Sequence, residues 1–562
     1  MSLSPIPRWL RFCCLASAVV VLVLFAGNST CANEPLHVEI DRIVAQSVGG
    51  IEFESADDAA FLRRVSIDLI GRIPSATEIR EFLHESHPHK RDNLIDRLLA
   101  DPEYARNMMR IFDVWLMQRR TARNVSNDQW REYLQDAFAK NRPWSEMTQE
   151  LLGSDGDRLD ARGPARFYLD RECKTDELVR DISTIFLGRN LHCAQCHDHP
   201  LITDYRQTHY FGIAAFLDRS FLFEDKPRSL KIVGEKGEGE TAFMSALTQV
   251  RGVTGPQVFD GPLIVEPVFA VNEVYAVPPS DGVRPIPRFS RRAGLPGAVI
   301  SHPAFCRNIV NRFWAHMFGR GIIEPLDQDH SKNPPLHPEL MELLARRFAD
   351  SGYDLRMLLC ELARTKLYAR AASAAPDYPA EGSLRLAISS VRKLSPEQLA
   401  WSWIEATGRR SSEWQACSTE LRSTDPKLLT ILIRSDAGRE AYLHRRLVAD
   451  ADLVIRAFVT SLPGETPQSE TTPQQALFLL NGEVLQSWVA SRPGNLVDRL
   501  QSQPFDREVA TELFVNVLSR PPSAEEVQWV EDLLANSGEE RALRIADLAE
   551  ALLTSIEFRF NH

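Results

Sequence analysis

The chain has 562 residues, too many for one ordinary hydrophobic core, so several domains are expected. Apolar residues make up 44% and charged residues 25%, the proportions of a soluble globular protein. A formal charge of −11 and the lack of any long basic run exclude a nucleic-acid binder that works through a basic surface. The short basic stretches QRRTAR (118–123) and LARRF (344–348) read as solvated helix faces.

Residues 1–32 read as a signal peptide. Arg8 and Arg11 precede an apolar run from Phe12 to Ala26, and Thr30-Cys31-Ala32 supplies small residues for cleavage. The run is short of the roughly 20 apolar residues a spanning helix needs, and no later segment reaches that length, so no transmembrane span is expected after cleavage. The mature protein is therefore expected to be exported, to the periplasm or the extracellular space. Cleavage removes Cys13, Cys14 and Cys31 of the nine cysteines and leaves Cys173, Cys193, Cys196, Cys306, Cys360 and Cys417. That is too sparse for a disulfide scaffold.

Residues 33–220 read as a helical domain. In DDAAFLRRVSIDLI (57–70) the residues Phe61, Leu62, Val65 and Leu69 follow the 3.6-residue period, and Gly71-Arg-Ile-Pro74 breaks it. Ser75-Ala-Thr-Glu78 is a capping box for the next helix. Helices are expected over 90–100, 104–116, 130–138, 145–152, 176–186 and 205–217, with a polar loop at 153–163. Between the last two lies CAQCHDHP, Cys193 to Pro200.

From 221 to 297 the character changes to a β-rich domain or insertion, with SLKIVG (229–234), 240–247 and GPLIVEPVFAVNEVYAV (261–277) as strand candidates. Residues 298–562 return to a helical domain. PAFCRNIVNRFWAHMF (303–318) is amphipathic and ends at Gly319. Helices are also expected over 339–348 and 354–367, and Ser395-Pro-Glu-Gln398 and Thr472-Pro-Gln-Gln475 are capping boxes with proline at the first helical position. Surface loops are expected at 371–382 and 462–470. The fold class is thus mainly α and multidomain, with a small β element between two helical parts. One internal repeat pairs LIGRIPSATEI (69–79) with VLSRPPSAEEV (517–527), and LLADPEYARN (98–107) with LLTSIEFRFN (552–561).

The octapeptide carries the chemistry. Two thiols three residues apart, followed at once by an imidazole, have the spacing of c-type haem attachment. The sulfurs of Cys193 and Cys196 would form thioethers with the porphyrin vinyls, and His197 would be the axial ligand to iron. The sixth ligand could be Met244, His209, His192 or His316. The same residues fit zinc: thiolates from Cys193 and Cys196, His199 or His197, and a distant fourth group such as Cys173 or His209. A Cys193–Cys196 disulfide is the third reading. His316 reads as a packed helix histidine, and no catalytic residue can be nominated: the chain shows no G-x-S-x-G, H-E-x-x-H, phosphate loop or G-x-G-x-x-G.

The long stretches FLRRVSIDLIGRIPSATEIREFL, RDNLIDRLLADPEYA, FLGRNLHCAQCHDHP and YFGIAAFL resemble the N-terminal domain of the planctomycete cytochrome-like family of unknown function. HPAFCRNIVNRFWAHMFGRGIIEPLDQDHSKNPPLHPELMELLARRF, KLSPEQLAWSWIEATG, TTPQQALFLLNG and LFVNVLSRPPSAEE resemble its partner C-terminal domain, also of unknown function. The resemblance runs over roughly residues 35 to 560. It implies an exported protein with a cytochrome-like Cys-x-x-Cys-His segment and a redox or protein partner yet to be identified. Three functional expectations follow: a haem protein in electron transfer or redox chemistry, a zinc-binding scaffold or interaction protein, or an accessory or hydrolytic protein in extracellular polysaccharide processing.

Overall fold

The computed structural model describes residues 34–47, 49, 54–372, 391–459 and 472–561. The expected signal peptide and the expected surface loops at 371–382 (from 373 on) and 462–470 lie outside them. The architecture is mainly α: 60% of the described residues are helical, and the sheets among them are small and two-stranded. No helix among the described residues is long and apolar enough to cross a membrane.

The expected helix signals have direct counterparts. The Asp58–Ile70 helix starts on the Asp57 side chain, which accepts from the Ala60 amide, and stops at Gly71 in the left-handed region (φ 73°). Ser75 and Glu78, Ser395 and Gln398, and Thr472 and Gln475 each form both bonds of a capping box.

Between the helical parts the chain makes three successive hairpins rather than one sheet: Ser220–Asp225 with Leu230–Glu235, Thr241–Met244 with Arg251–Thr254, and Tyr275–Val277 with Ile286–Pro287. Two expectations are corrected here. The first half of 261–277 is not a strand. Pro262 and Pro267 remove ladder donors, and Val265 and Val268 stand in solvent. Residues 291–297, expected to belong to the β-rich stretch, lie in the helix Arg291–Ile300, whose N-cap Ser290 accepts from the Ala293 amide. Pro296 sits inside it and forgoes one intrahelical bond.

The hydrophobic cores divide the chain differently from the change of sequence character at 297. The first core joins residues 36–217 to the helices at 291–300, 304–318, 338–350 and 355–363. The second gathers residues 394–558. Trp144 ties the first core together: its ring stacks with Phe186 at 5.6 Å and with Phe305 at 6.0 Å, both within 7° of parallel.

The internal repeat is a repeat of structure. Arg72 pairs with Glu78 at 3.0 Å and Arg520 with Glu526 at 2.8 Å, each beside a Ser/Glu capping box. Gly71 and Ser519, at matched positions, both cap the preceding helix with positive φ. The two copies also exchange side chains. Ile67 packs in the second core, and its counterpart Val515 packs in the first. Such reciprocity is that of an isologous interface, here within one chain.

A buried polar seam joins the cores. The carboxylate of Asp68, wholly shielded from solvent, accepts from the Tyr368 hydroxyl at 2.6 Å, from Arg392 Nη2 at 2.7 Å and from Asn561 Nδ2 at 3.0 Å. Arg392 and Asn561 face each other in the two-residue ladder that closes the C-terminus onto the chain at 392–393.

Candidate functional site

The Thr175–Leu187 helix delivers the Cys-x-x-Cys-His segment, and the Ala304–Phe318 helix fixes where it ends. Asn308 Nδ2 donates to the Ile185 carbonyl at 2.5 Å, and Arg312 Nη2 to the Thr184 carbonyl at 2.9 Å, so two orphan carbonyls of the last turn are satisfied by a neighbouring helix. Gly188 then turns in the left-handed region (φ 63°), where a Cβ would lie 3.0 Å from Asn308 Oδ1. Arg189 bridges to Gln328, and Asn190 Nδ2 donates to Asp327 at 3.1 Å.

Cys193–Gln195 form a single 3-10 turn pivoting on the buried Leu191 and Ala194. The Cys196 amide donates to the Cys193 carbonyl at 3.3 Å. Both thiols are solvent-exposed and unpaired, so the disulfide reading is not realised. The turn is held from below: Ala246 N donates to the Cys196 carbonyl at 2.8 Å, and Gln207 donates through Nε2 to the Gln195 carbonyl at 3.4 Å and through its amide to Asp198 Oδ1 at 2.7 Å. His197 Nδ1 lies 2.8 Å from the Asp198 carbonyl, which can only accept. The proton is therefore on Nδ1, and Nε2 keeps its lone pair.

These residues fit a c-type haem. The thiols are accessible on one turn, and a ligating histidine characteristically gives its second ring N–H to a carbonyl. The apolar surface beside the turn is an open face, with Met244, Leu247 and Val250 exposed on the hairpin that carries Ala246. Among the proposed sixth ligands, His316 is consumed in the core, its Nε2 donating to the Asp68 carbonyl at 3.1 Å. His209 is buried with Nδ1 bonded to the Asp204 carbonyl at 2.7 Å and Nε2 to Asp260 at 3.2 Å. His192 and Met244 remain exposed near the turn.

The zinc set is not assembled in this arrangement. Among the described residues no three His, Cys, Asp or Glu side chains converge where a metal ion could be held. His199 turns back on its own loop, its Nδ1 accepting from the amides of Leu201 at 3.2 Å and Ile202 at 3.0 Å. Cys173 is buried elsewhere, and burial pushes its thiol up to about 12.

Next to the loop opens a polar cleft of about 540 Å³, with Arg189, Asp198, His199, Asp204, Tyr205 and Asp260 among its walls. Two aromatic chains flank it. His199, Tyr205 and His330 run edge to face at 6.1 and 5.2 Å, and His209, Phe259 and His302 at 5.7 and 5.1 Å. Burial, aided by the nearby Arg189 charge, pushes His302 down to about 4. Burial works to raise the Asp204 carboxyl, but the bonds from the Ser331 hydroxyl and amide outweigh it and hold it below the usual range. Sequence reasoning singled out His199 and His209 but missed Arg189, Asp260, His302 and the role of His330. They come from four separate stretches, and only the DQDH run at 327–330 carried a local signal.

Residues 39–221 match PSCyt2, a protein of unknown function (DUF1549), and residues 297–534 match PSD1, a protein of unknown function (DUF1553). No curated protein matches the chain, and neither does any solved structure. With the first match spanning the Cys-x-x-Cys-His turn and the second the helices that brace it, the chain belongs to the cytochrome-like family that pairs these two domains of unknown function.

Proposed function

We propose that this is an exported protein that carries one covalent haem c on Cys193 and Cys196, with His197 as proximal ligand, and works in electron transfer. The observation that carries the reading is the local geometry of the turn. Two unpaired, exposed thiols stand three residues apart, and the next residue is an imidazole whose Nδ1 is already committed to a backbone carbonyl at 2.8 Å. Bound there, haem would supply a reversible one-electron change at iron.

The protein's own residues do the rest. Gln207 and Ala246 fix the turn through the Gln195 and Cys196 carbonyls, so the two sulfurs keep their separation. The Asp198 carbonyl sets the orientation and tautomer of the His197 ring. The exposed Met244, Leu247 and Val250 give an apolar surface on which a macrocycle face would lose its contact with water.

The test is secretion from a host with haem-maturation machinery, followed by a denaturing gel stained for haem peroxidase activity and metal analysis of the native protein. A stained band that disappears in Cys193→Ala and Cys196→Ala is the expected result. An unstained wild-type band with one zinc per chain would overturn the proposal.

A further inference from the structure

The cleft beside the haem-attachment turn contains a cation that none of the described residues neutralises by direct contact. The Arg189 guanidinium lies 4.4 Å over the Phe259 ring, and its Nε is buried without a hydrogen-bond partner. The carboxylates near it are already engaged. Asp204 accepts from Ser331, Asp260 from His209 and Arg206, Asp327 from Asn190, and Asp329 from Arg307 Nε and Nη2, each at 2.9 Å. Stacking on an aromatic face fixes the plane of a guanidinium, and a fixed fork is suited to two parallel bonds with a planar oxyanion. His199 stands in the same wall. With Nδ1 accepting from two backbone amides, it carries its proton on Nε2 and is a second donor.

We propose that Arg189 and His199 form a seat for a carboxylate group in this cleft. Asp198, Asp204 and Asp260 share the wall. They would repel a doubly charged phosphate more than a singly charged carboxylate, and the lone pairs their protein donors leave open would accept hydrogen bonds from hydroxyl groups on the ligand. The ligand class is therefore a hydroxylated organic acid or, where haem is attached at the neighbouring turn, a propionate arm of that haem. The seat itself does not depend on the haem reading; only the second source does.

Isothermal titration of sodium gluconate into the full chain carrying Cys193→Ser and Cys196→Ser, which cannot hold covalent haem, tests the seat alone. Saturable one-site binding is expected, weakened at least about tenfold by Arg189→Gln, because a charge-assisted pair is lost. Arg189→Lys, which keeps the charge and loses the fork, is expected to fall between the two. No saturable heat, binding unchanged by Arg189→Gln, or inorganic phosphate binding as tightly as gluconate overturns the proposal. Unchanged circular dichroism and melting of Arg189→Gln establish that its fold is intact; if it does not fold, Arg189→Lys carries the comparison.

The same titration into haem-loaded protein separates the sources. Undiminished binding assigns the seat to a free acid, and its loss assigns the seat to a propionate. Failure of haem to attach leaves the first titration standing, so the two readings fail separately.

Discussion

Asp68→Ala should be among the most damaging single substitutions in the chain. The carboxylate is inaccessible to solvent, while its partner Arg392 is only 17% exposed and lies 2.7 Å away. Removing the acid strands a guanidinium, the Tyr368 hydroxyl and the Asn561 amide in the seam between the two cores. Breaking one side of a buried pair costs about 3–5 kcal/mol, since the remaining charge keeps its desolvation penalty and loses its partner. Asp68→Asn keeps an acceptor for Tyr368 but not the charge, and about 1–3 kcal/mol is expected. Asp68→Leu combined with Arg392→Met removes both charges and should recover most of the loss. The assay is urea unfolding at pH 7 followed by tryptophan fluorescence. Because Asp68 and Arg392 belong to opposite sides of the seam, the single variant should also separate the unfolding of the two cores into distinct transitions. A midpoint for Asp68→Ala that implies less than about 0.5 kcal/mol of loss would refute the reasoning, because that is the range of an ordinary surface change.

Three further outcomes are expected. His444 lies flat against Trp401 at 4.6 Å and bonds Arg110 at 2.9 Å. Burial, with the Arg110 charge beside it, pushes it down to about 2, so the folded state keeps it neutral while the unfolded chain protonates it near pH 6.5. Its contribution to stability is therefore present above about pH 6.5 and lost as pH falls, by at most about 1.4 kcal/mol per pH unit. Comparing the pH slopes of wild type and His444→Gln between pH 6.5 and 5 measures it, and identical slopes would contradict the assignment. Gly188→Ala places a Cβ against Asn308 at a positive φ, and a loss of about 1–2 kcal/mol in unfolding free energy, with a reduced yield of haem-stained protein, is expected. Ser75→Ala and Ser523→Ala each remove a capping box at equivalent places in the repeat, and each should lower stability by about 1 kcal/mol in the same unfolding assay. Effects differing by more than about 1 kcal/mol would argue against structural equivalence of the two copies.

The amino-acid sequence by itself determined what depends on neighbours along the chain. Asp57, Ser75, Ser395 and Thr472 announce helix starts because a short oxygen-bearing side chain can reach an amide only two or three residues ahead. The Cys193-to-His197 turn is local for the same reason, since a single turn sets the distance between its thiols. The repeat was legible because each copy uses the same αL cap, arginine and capping box. Tertiary structure alone decided the rest. Whether 261–270 pairs as a strand depends on a partner ladder that its prolines refuse. That Trp144, Phe186 and Phe305 stack, and that Asn308 and Arg312 close the helix before the Cys-x-x-Cys-His turn, joins residues from separate helices of the chain. The cleft around Arg189 draws on segments near 189, 204, 260, 302 and 330, of which only the run ending at His330 stands out in its own stretch. An unpaired guanidinium is a property of what packs around it, and a linear sequence cannot say which carboxylates have already been taken.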